Sequence, residues 1–425
     1  MPERYQEPEP GCLAESIESG ILSNGLRVIT DHVPWVQSVT LGIHIDAGSR
    51  DDPARKSGLA HFIEHALFKG TGNRDYIEIA CGIERTGGYL DAYTTKEQTC
   101  IYLRCLDTFT GPSLDLLADL VCNPVFPEEE IEKEKEVVLE EISSVNDTPE
   151  ELVFEDFDRS LFGRHPLGRT ILGTENSVNG FTGSDLRNFM SDFYRPEKMF
   201  LTATGNIRHD DFMRLAERCF STLPAADDPL PVRKPFLPEA YTPFRRAPKK
   251  RIHQAQIVLG TLIARDDASF HALMVLNTLL GNGMSSMLNL ELREKLALVY
   301  SAYSTIAFFD DLTVMNIYAG TDGNKVGKTL DVLAEVLKRP DLAVPTADEL
   351  RSAKSKLLGS LLMGTEKMTR RMSHLATDLS YFGRHVPLAE KIAAIEGVGS
   401  EDIAEAASLL FDESRLSTLV YKPSR

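Results

Sequence analysis

The stretch Ser57-Gly58-Leu59-Ala60-His61-Phe62-Ile63-Glu64-His65-Ala66-Leu67-Phe68-Lys69-Gly70 decides how the rest of the chain is read. No proline or glycine interrupts it between Leu59 and Lys69, so it reads as a helix capped by Ser57 and ended by Gly70. His61 and His65 are four residues apart and share one face. Two imidazoles on one helix face begin a zinc site. Glu64 stands at the edge of that face, where a carboxylate can take a proton from a metal-activated water. The same pattern is also that of two surface histidines beside a glutamate, and a third ligand decides between the two readings.

A second helix, predicted over 127–145, offers that ligand. Its first turn is acidic (Glu128, Glu129, Glu130), which suits the helix dipole, and Pro127 suits a first turn. Ile131, Val138, Ile142 and Val145 form a narrow apolar stripe. Glu134 and Glu141 are seven residues apart, two turns, and so lie on nearly one face beside Val138. Glu132, Glu136 and Glu140 read as a solvated face with Lys133 and Lys135. A catalytic zinc site takes three side chains and keeps one position open, so a histidine pair needs one more ligand, and Glu141 is the candidate.

Composition narrows the function classes. At 425 residues the chain suggests two domains or more, and 42% hydrophobic with 26% charged residues is globular. A net charge of −17 argues against nucleic acid. No apolar run is long enough to span a bilayer. The acidic start, Met1 to Pro10, has no apolar core and reads as neither a secretory signal nor a transit peptide. None of the six cysteines forms C-x-x-C, which points away from a disulfide framework and toward a reducing, cytoplasmic setting.

Taken in order, Ser23-Asn24-Gly25 between apolar runs predicts a hairpin. Val39, Leu41, Ile43 and Ile45 alternate with Thr40, Gly42 and His44, which predicts a half-buried strand with His44 as an ordinary strand histidine. Residues 89–95 and 98–105 read as paired strands. Seven prolines between Pro224 and Pro248 mark an extended, semi-rigid linker. The second half repeats the order of the first: a strand at 255–260, helices near 268–279 and 287–296, paired strands at 299–307 and 312–319, then helices and a last strand. Its counterpart of the histidine helix carries only His271, so one metal ion per chain is expected. The fold class is α+β: two structurally similar α/β domains, residues 15–223 and 251–425, joined by a linker over 224–250.

His-x-x-Glu-His (His61, Glu64, His65), with Glu141 76 residues after His65, resembles the inverted zinc-peptidase family of pitrilysin, insulin-degrading enzyme and mitochondrial processing peptidase. Asn24-Gly25-Leu26-Arg27-Val28 is similar to that family's opening hairpin. Gly87-Gly88 with Asp91-Ala92-Tyr93-Thr94 resembles its substrate-edge strand, and Glu134 to Glu141 its third-ligand helix. Tyr194-Arg195-Pro196-Glu197, Gly283-Met284-Ser285-Ser286 and Leu292-Arg293-Glu294-Lys295 with Tyr300 extend the likeness over nearly the whole chain. Length and two-part layout fit the bacterial, processing-peptidase-like branch.

The resemblance implies a zinc metalloendopeptidase with one Zn2+ per chain, held by His61, His65 and Glu141. Glu64 would be the general base, and Glu134 would orient a ligand or the water. Arg293 and Tyr300 would grip the substrate backbone and a developing oxyanion. Asp91, Ala92, Tyr93 and Thr94 would contact substrate. The family's closed chamber has four such domains, so this chain would supply half of a clamshell. A homodimer follows, each zinc site meeting Arg293 and Tyr300 of the other chain; related heterodimers split the two features. Substrates would be peptides or unfolded polypeptide segments. Asp91 stands where an asparagine is usual, Met287 for an arginine and Ala297 for a glycine. The alternative is a non-catalytic partner subunit of a peptidase complex, although such relatives lose ligands or base and this chain keeps all four.

Overall fold

Gly25 takes φ 93°, the left-handed conformation that a tight hairpin turn requires and that favours glycine. It joins β1 (Ile17–Ile21) to β2 (Arg27–His32) in antiparallel register, Ile21 opposite Arg27. With β3 (Ser38–Ile45), β4 (Tyr89–Thr94), β5 (Thr99–Leu106) and β6 (Met199–Gly205), these strands form one six-stranded sheet in the order β1-β2-β6-β3-β5-β4. The computed structural model describes residues 16–225, 228–339, 342 and 344–424. The acidic N-terminal tail and Cys12 lie outside the described residues.

The second sheet combines β7 (Arg245–Arg246), β8 (Lys249–Lys250), β9 (Ala255–Ala264), β10 (Val299–Phe308), β11 (Leu312–Thr321) and β12 (Ser417–Pro423). Its order is β10-β11-β9-β12-β7, with β8 also on β12. Laid beside the first sheet, β10, β11, β9, β12 and β7 take the places of β4, β5, β3, β6 and β2. Even the parallel pair is reproduced, β2 with β6 and β7 with β12. The chain is thus a mixed α/β protein of two sheets with the same strand plan, and no helix among the described residues is long and apolar enough to cross a membrane.

β3 departs from its alternating sequence pattern. Its outer-face residues Thr40 and His44 are as fully buried as Leu41 and Ile43. The cause is a helix from the far half of the chain, Met368–Phe382, laid across that face. Leu375, Ala376 and Leu379 pack there on Ile29 and Phe200. The Arg371 guanidinium pairs with buried Asp31, its second nitrogen at 2.9 Å. His44 remains a packing residue, stacked on Phe200 at 4.6 Å and hydrogen-bonded to the Thr202 hydroxyl at 3.0 Å.

The exchange is reciprocal. Helix Pro149–Phe162 leaves the first half and covers the second sheet, where Val153, Phe157, Leu161 and Phe162 pack with Val258, Leu262, Val314 and Tyr421. At roughly 1.5–3 kcal/mol for each large apolar side chain removed from water, this exchange holds the halves together. The proline-rich segment is pinned as well. Phe236 and Tyr241 are buried, the Tyr241 hydroxyl donates to Arg415 O at 2.6 Å, and β7 and β8 pair with β12.

The helix expected near 287–296 is present and takes π-helical geometry over Asn289–Lys295. Helix Leu388–Gly397 lies outside the expected elements, although Leu388, Ile392 and Ile395 repeat at helical spacing and Leu388 and Ile395 are buried.

Candidate metal centre

The histidine helix spans Leu59–Leu67 and buries Leu59, Ala60, Phe62, Ile63, Ala66 and Leu67 in the first core. Ser57 does not cap it. Gly58 is the cap residue at φ 91°, and an added Cβ would lie 2.4 Å from Leu172 O. The cap comes instead from Asp52, whose carboxylate accepts from the Gly58 N–H at 2.6 Å and the Ala60 N–H at 2.9 Å. A buried acid there satisfies amide groups that have no intrahelical partner and suits the positive end of the helix.

The acidic helix runs Glu128–Asp147, with Pro127 as its cap residue rather than in its first turn. It packs on the histidine helix through Ile131 and Val138. This contact turns Glu134 and Glu141 toward the imidazoles. Glu134 Oε1 lies 2.7 Å from His65 Nδ1, and its Oε2 lies 2.6 Å from Lys69 Nζ. Nδ1 is therefore the donor nitrogen of His65, and in the neutral ring Nε2 carries the lone pair. Burial would lower the His65 pKa, but the Glu134 hydrogen bond and the charges of Glu141, Glu134 and Glu64 outweigh it and raise it. Burial also pushes Glu134 upward, and His65 and Lys69 more than reverse this. His61 is different: burial, with the neighbouring His65, lowers it to about 3, so its ring is neutral.

Glu141 Oε2 is 3.8 Å from His61 Nε2 and 3.7 Å from His65 Nε2. These gaps are too long for hydrogen bonds. They are close to the ~3.4 Å expected between two donor atoms sharing one tetrahedral ion with ~2.1 Å bonds. The Glu141 side chain is 43% exposed overall, yet Oε2 itself is buried and has no hydrogen-bond partner. Exposure belongs to the rest of the side chain, and the inward oxygen is what bears on binding. Among the described residues, His61, His65 and Glu141 are the one group of acids, histidines or cysteines spaced to hold a metal ion.

Glu64 is buried beside this group. Its Oε2 accepts from the Thr94 hydroxyl. Burial raises its pKa, offset only in part by Thr94 and the charge of His65. A carboxyl held above the usual range takes up a proton more readily. Thr94 ends β4, one of the two edge strands of the first sheet. Along that edge the Asp91 carboxylate accepts from the Tyr102 hydroxyl at 2.8 Å, and Tyr93 stands opposite Cys100 of β5.

Arg293 and Tyr300 lie apart from this cluster. The Arg293 side chain is 54% exposed and 3.9 Å from adjacent Glu294, and Tyr300 is 60% exposed. No hydrogen bond, ion pair or ring contact among the described residues joins either to His61, His65 or Glu141. Tyr300 lies on β10, the edge strand that corresponds to β4 in the second sheet.

Lys69 was missed in the sequence although it follows His65 by four residues, on the same face. Asp52 was missed because its capping contact spans a loop and fits no local capping pattern. Also missed was an ionic hub between the halves. Arg50, its side chain 2% exposed, pairs with Glu97 and with both oxygens of Asp311, at 2.9 and 2.6 Å. Arg233 pairs with Asp51 at 2.9 Å and Asp46 at 2.7 Å and also reaches Asp310. Nothing local in the sequence marks these long-range partners.

Comparison with known proteins accounts for both halves. Residues 27–175 match the insulinase family (peptidase family M16), and residues 180–357 match the family's companion, described as the peptidase M16 inactive domain. An uncharacterized zinc protease of Bacillus subtilis is 35% identical over 399 residues, 93% of this chain and 96% of its own. Another, from Mycobacterium leprae, is 36% identical over 394 residues, 92% of this chain and 88% of its own. A protease from Helicobacter pylori of known structure shares the fold at a TM-score of 0.89 and 24% identity, covering 96% of this chain and 100% of that one. Matched along most of its length by these relatives, the chain belongs to the M16, or insulinase, peptidase family.

Proposed function

We propose that the chain is a zinc-dependent endopeptidase that hydrolyses peptides or unfolded polypeptide segments. One observation carries the reading: the buried, unpartnered Glu141 Oε2 sits 3.8 and 3.7 Å from two imidazole nitrogens, beside a buried carboxylate. A buried acceptor left without a partner is costly, and a cation there removes the cost. His61, His65 and Glu141 would hold one zinc ion, with Glu134 fixing the tautomer of His65. The ion supplies Lewis acidity toward a water and a scissile carbonyl.

The remaining roles fall to the chain's own side chains. Glu64 takes the proton of the attacking water and delivers it to the leaving amine. An extended substrate pairs with the free edge of β4 at Asp91, Ala92 and Tyr93, because an unpaired edge strand is a template for another strand. Arg293 and Tyr300, exposed in one chain, would reach substrate from a second copy in a homodimeric chamber.

Zinc per chain and cleavage of a mixed peptide library, measured for the native protein and for Glu64→Gln, test this reading. The expected result is about one zinc in each and a loss of cleavage of roughly 10²- to 10⁴-fold in the variant. Zinc retention with no cleavage by either protein favours the non-catalytic partner subunit.

A further inference from the structure

We infer that Thr94 is a positioning residue for Glu64, and that the loop 48–52 sets the spacing between the two. The inference rests on the endopeptidase reading and adds a residue to it. The resemblance groups Thr94 with the substrate-contacting residues, but its hydroxyl points inward and donates to Glu64 Oε2. Among the described residues, that is the hydrogen bond made by the Glu64 carboxylate. A carboxylate with one oxygen fixed can aim the other at a water. Without the fixed oxygen, the side chain samples further rotamers in its pocket.

Both partners of this bond are tied to one short loop. On one side, the Asp52 carboxylate caps the histidine helix at Gly58 and Ala60, setting where Glu64 begins its reach. On the other, the Ser49 N–H donates to Thr95 O at 3.1 Å and the Arg50 N–H to Lys96 O at 2.7 Å, fixing the turn that follows Thr94. The fit is tight: a Cβ on Gly48 would lie 2.4 Å from Thr95 O. The turn is fastened further by Arg233, whose guanidinium donates to Glu97 O at 2.6 Å, and by the Arg50 ion pair with Glu97. The same two arginines bind Asp310 and Asp311 of the second half. The contact between the halves therefore holds the end of β4 against the helix that carries the base.

Two substitutions separate a hydroxyl role from a packing role. Thr94→Val keeps the shape and loses the hydroxyl; Thr94→Ser keeps the hydroxyl and loses a methyl. Thr94→Val is expected to lower kcat roughly 10- to 100-fold, as for loss of a hydrogen bond to a charged group, with KM and zinc content within about twofold of native. Thr94→Ser should stay within about threefold of native. Crystal structures of the zinc-free variants give a second readout independent of turnover. The Glu64 carboxylate should leave its native position in Thr94→Val and keep it in Thr94→Ser. Native-like kcat and an unmoved Glu64 in Thr94→Val, with damage confined to Thr94→Ser, overturn the inference while leaving the endopeptidase reading intact. A native protein that neither binds zinc nor cleaves overturns that reading, and the position of Glu64 still decides the positioning role.

Discussion

Replacing Arg50 with methionine should destabilise the protein by about 3 kcal/mol, the lower end of the range for breaking a buried ion pair. The side chain is 2% exposed, and its partners Glu97 and Asp311 are 14% and 17% exposed. None is open enough for solvent to replace what is lost. Methionine fills much of the space but leaves two buried carboxylates facing an apolar stem. The lower end applies because Asp311 keeps the Phe236 N–H at 2.6 Å, and the charge of Arg233 remains near Glu97. For domains of this size, that loss lowers the calorimetric Tm by about 6–12 °C. Arg50→Lys should recover only part of it, since an ammonium cannot reproduce the two-pronged contact with Asp311. The deficit should persist in half-molar salt, which screens exposed pairs far more than buried ones. In the double variant with Asp311→Asn, the two losses should sum to clearly less than the separate values. A Tm for Arg50→Met within about 2 °C of native would refute the claim that this hub joins the halves.

Three further outcomes are expected. Glu134→Ala should weaken zinc binding roughly 10- to 100-fold in a competition titration with a chelator, because His65 Nδ1 loses its partner. In acid, His44 should act against the fold. Burial lowers its pKa from 6.5 to about 3, so the unfolded chain binds a proton that the folded chain refuses. Its contribution falls away as pH drops from 6.5 toward 3, by roughly 1.4 kcal/mol per pH unit, and His44→Gln should flatten the acid limb of a denaturation series by that slope. Ala297 holds φ 46°, the one left-handed non-glycine among the described residues, and Ala297→Gly should stabilise by about 1 kcal/mol, read as a rise of a few degrees in Tm.

Much of the fold was legible because the decisive signals are local. The Asn24-Gly25 turn and the alternation of β3 lie within short windows, where spacing reports directly on geometry, and the duplicated element order is a succession of such local signals. So does the pairing of His61 with His65, since four residues on a helix bring side chains together whatever surrounds them. Glu141 came from chemistry, as the oxygen donor that two imidazoles lack. The both-sided burial of β3 was not legible, because the helix that covers Thr40 and His44 begins at Met368. Nor was the cap from Asp52, which replaces the local candidate Ser57, or the hub of Arg50, Arg233, Glu97 and Asp311. Each of these depends on chain segments meeting from far apart. Ala297 shows the intermediate case: an alanine noted against an expected glycine proves to sit where glycine would be at ease.

The most direct test is an anomalous-diffraction map at the zinc edge, from crystals of the native protein supplied with zinc. One strong peak per chain, enclosed by His61 Nε2, His65 Nε2 and the Glu141 carboxylate, is the predicted result. A peak that excludes Glu141, or no peak at the two histidines, would contradict it.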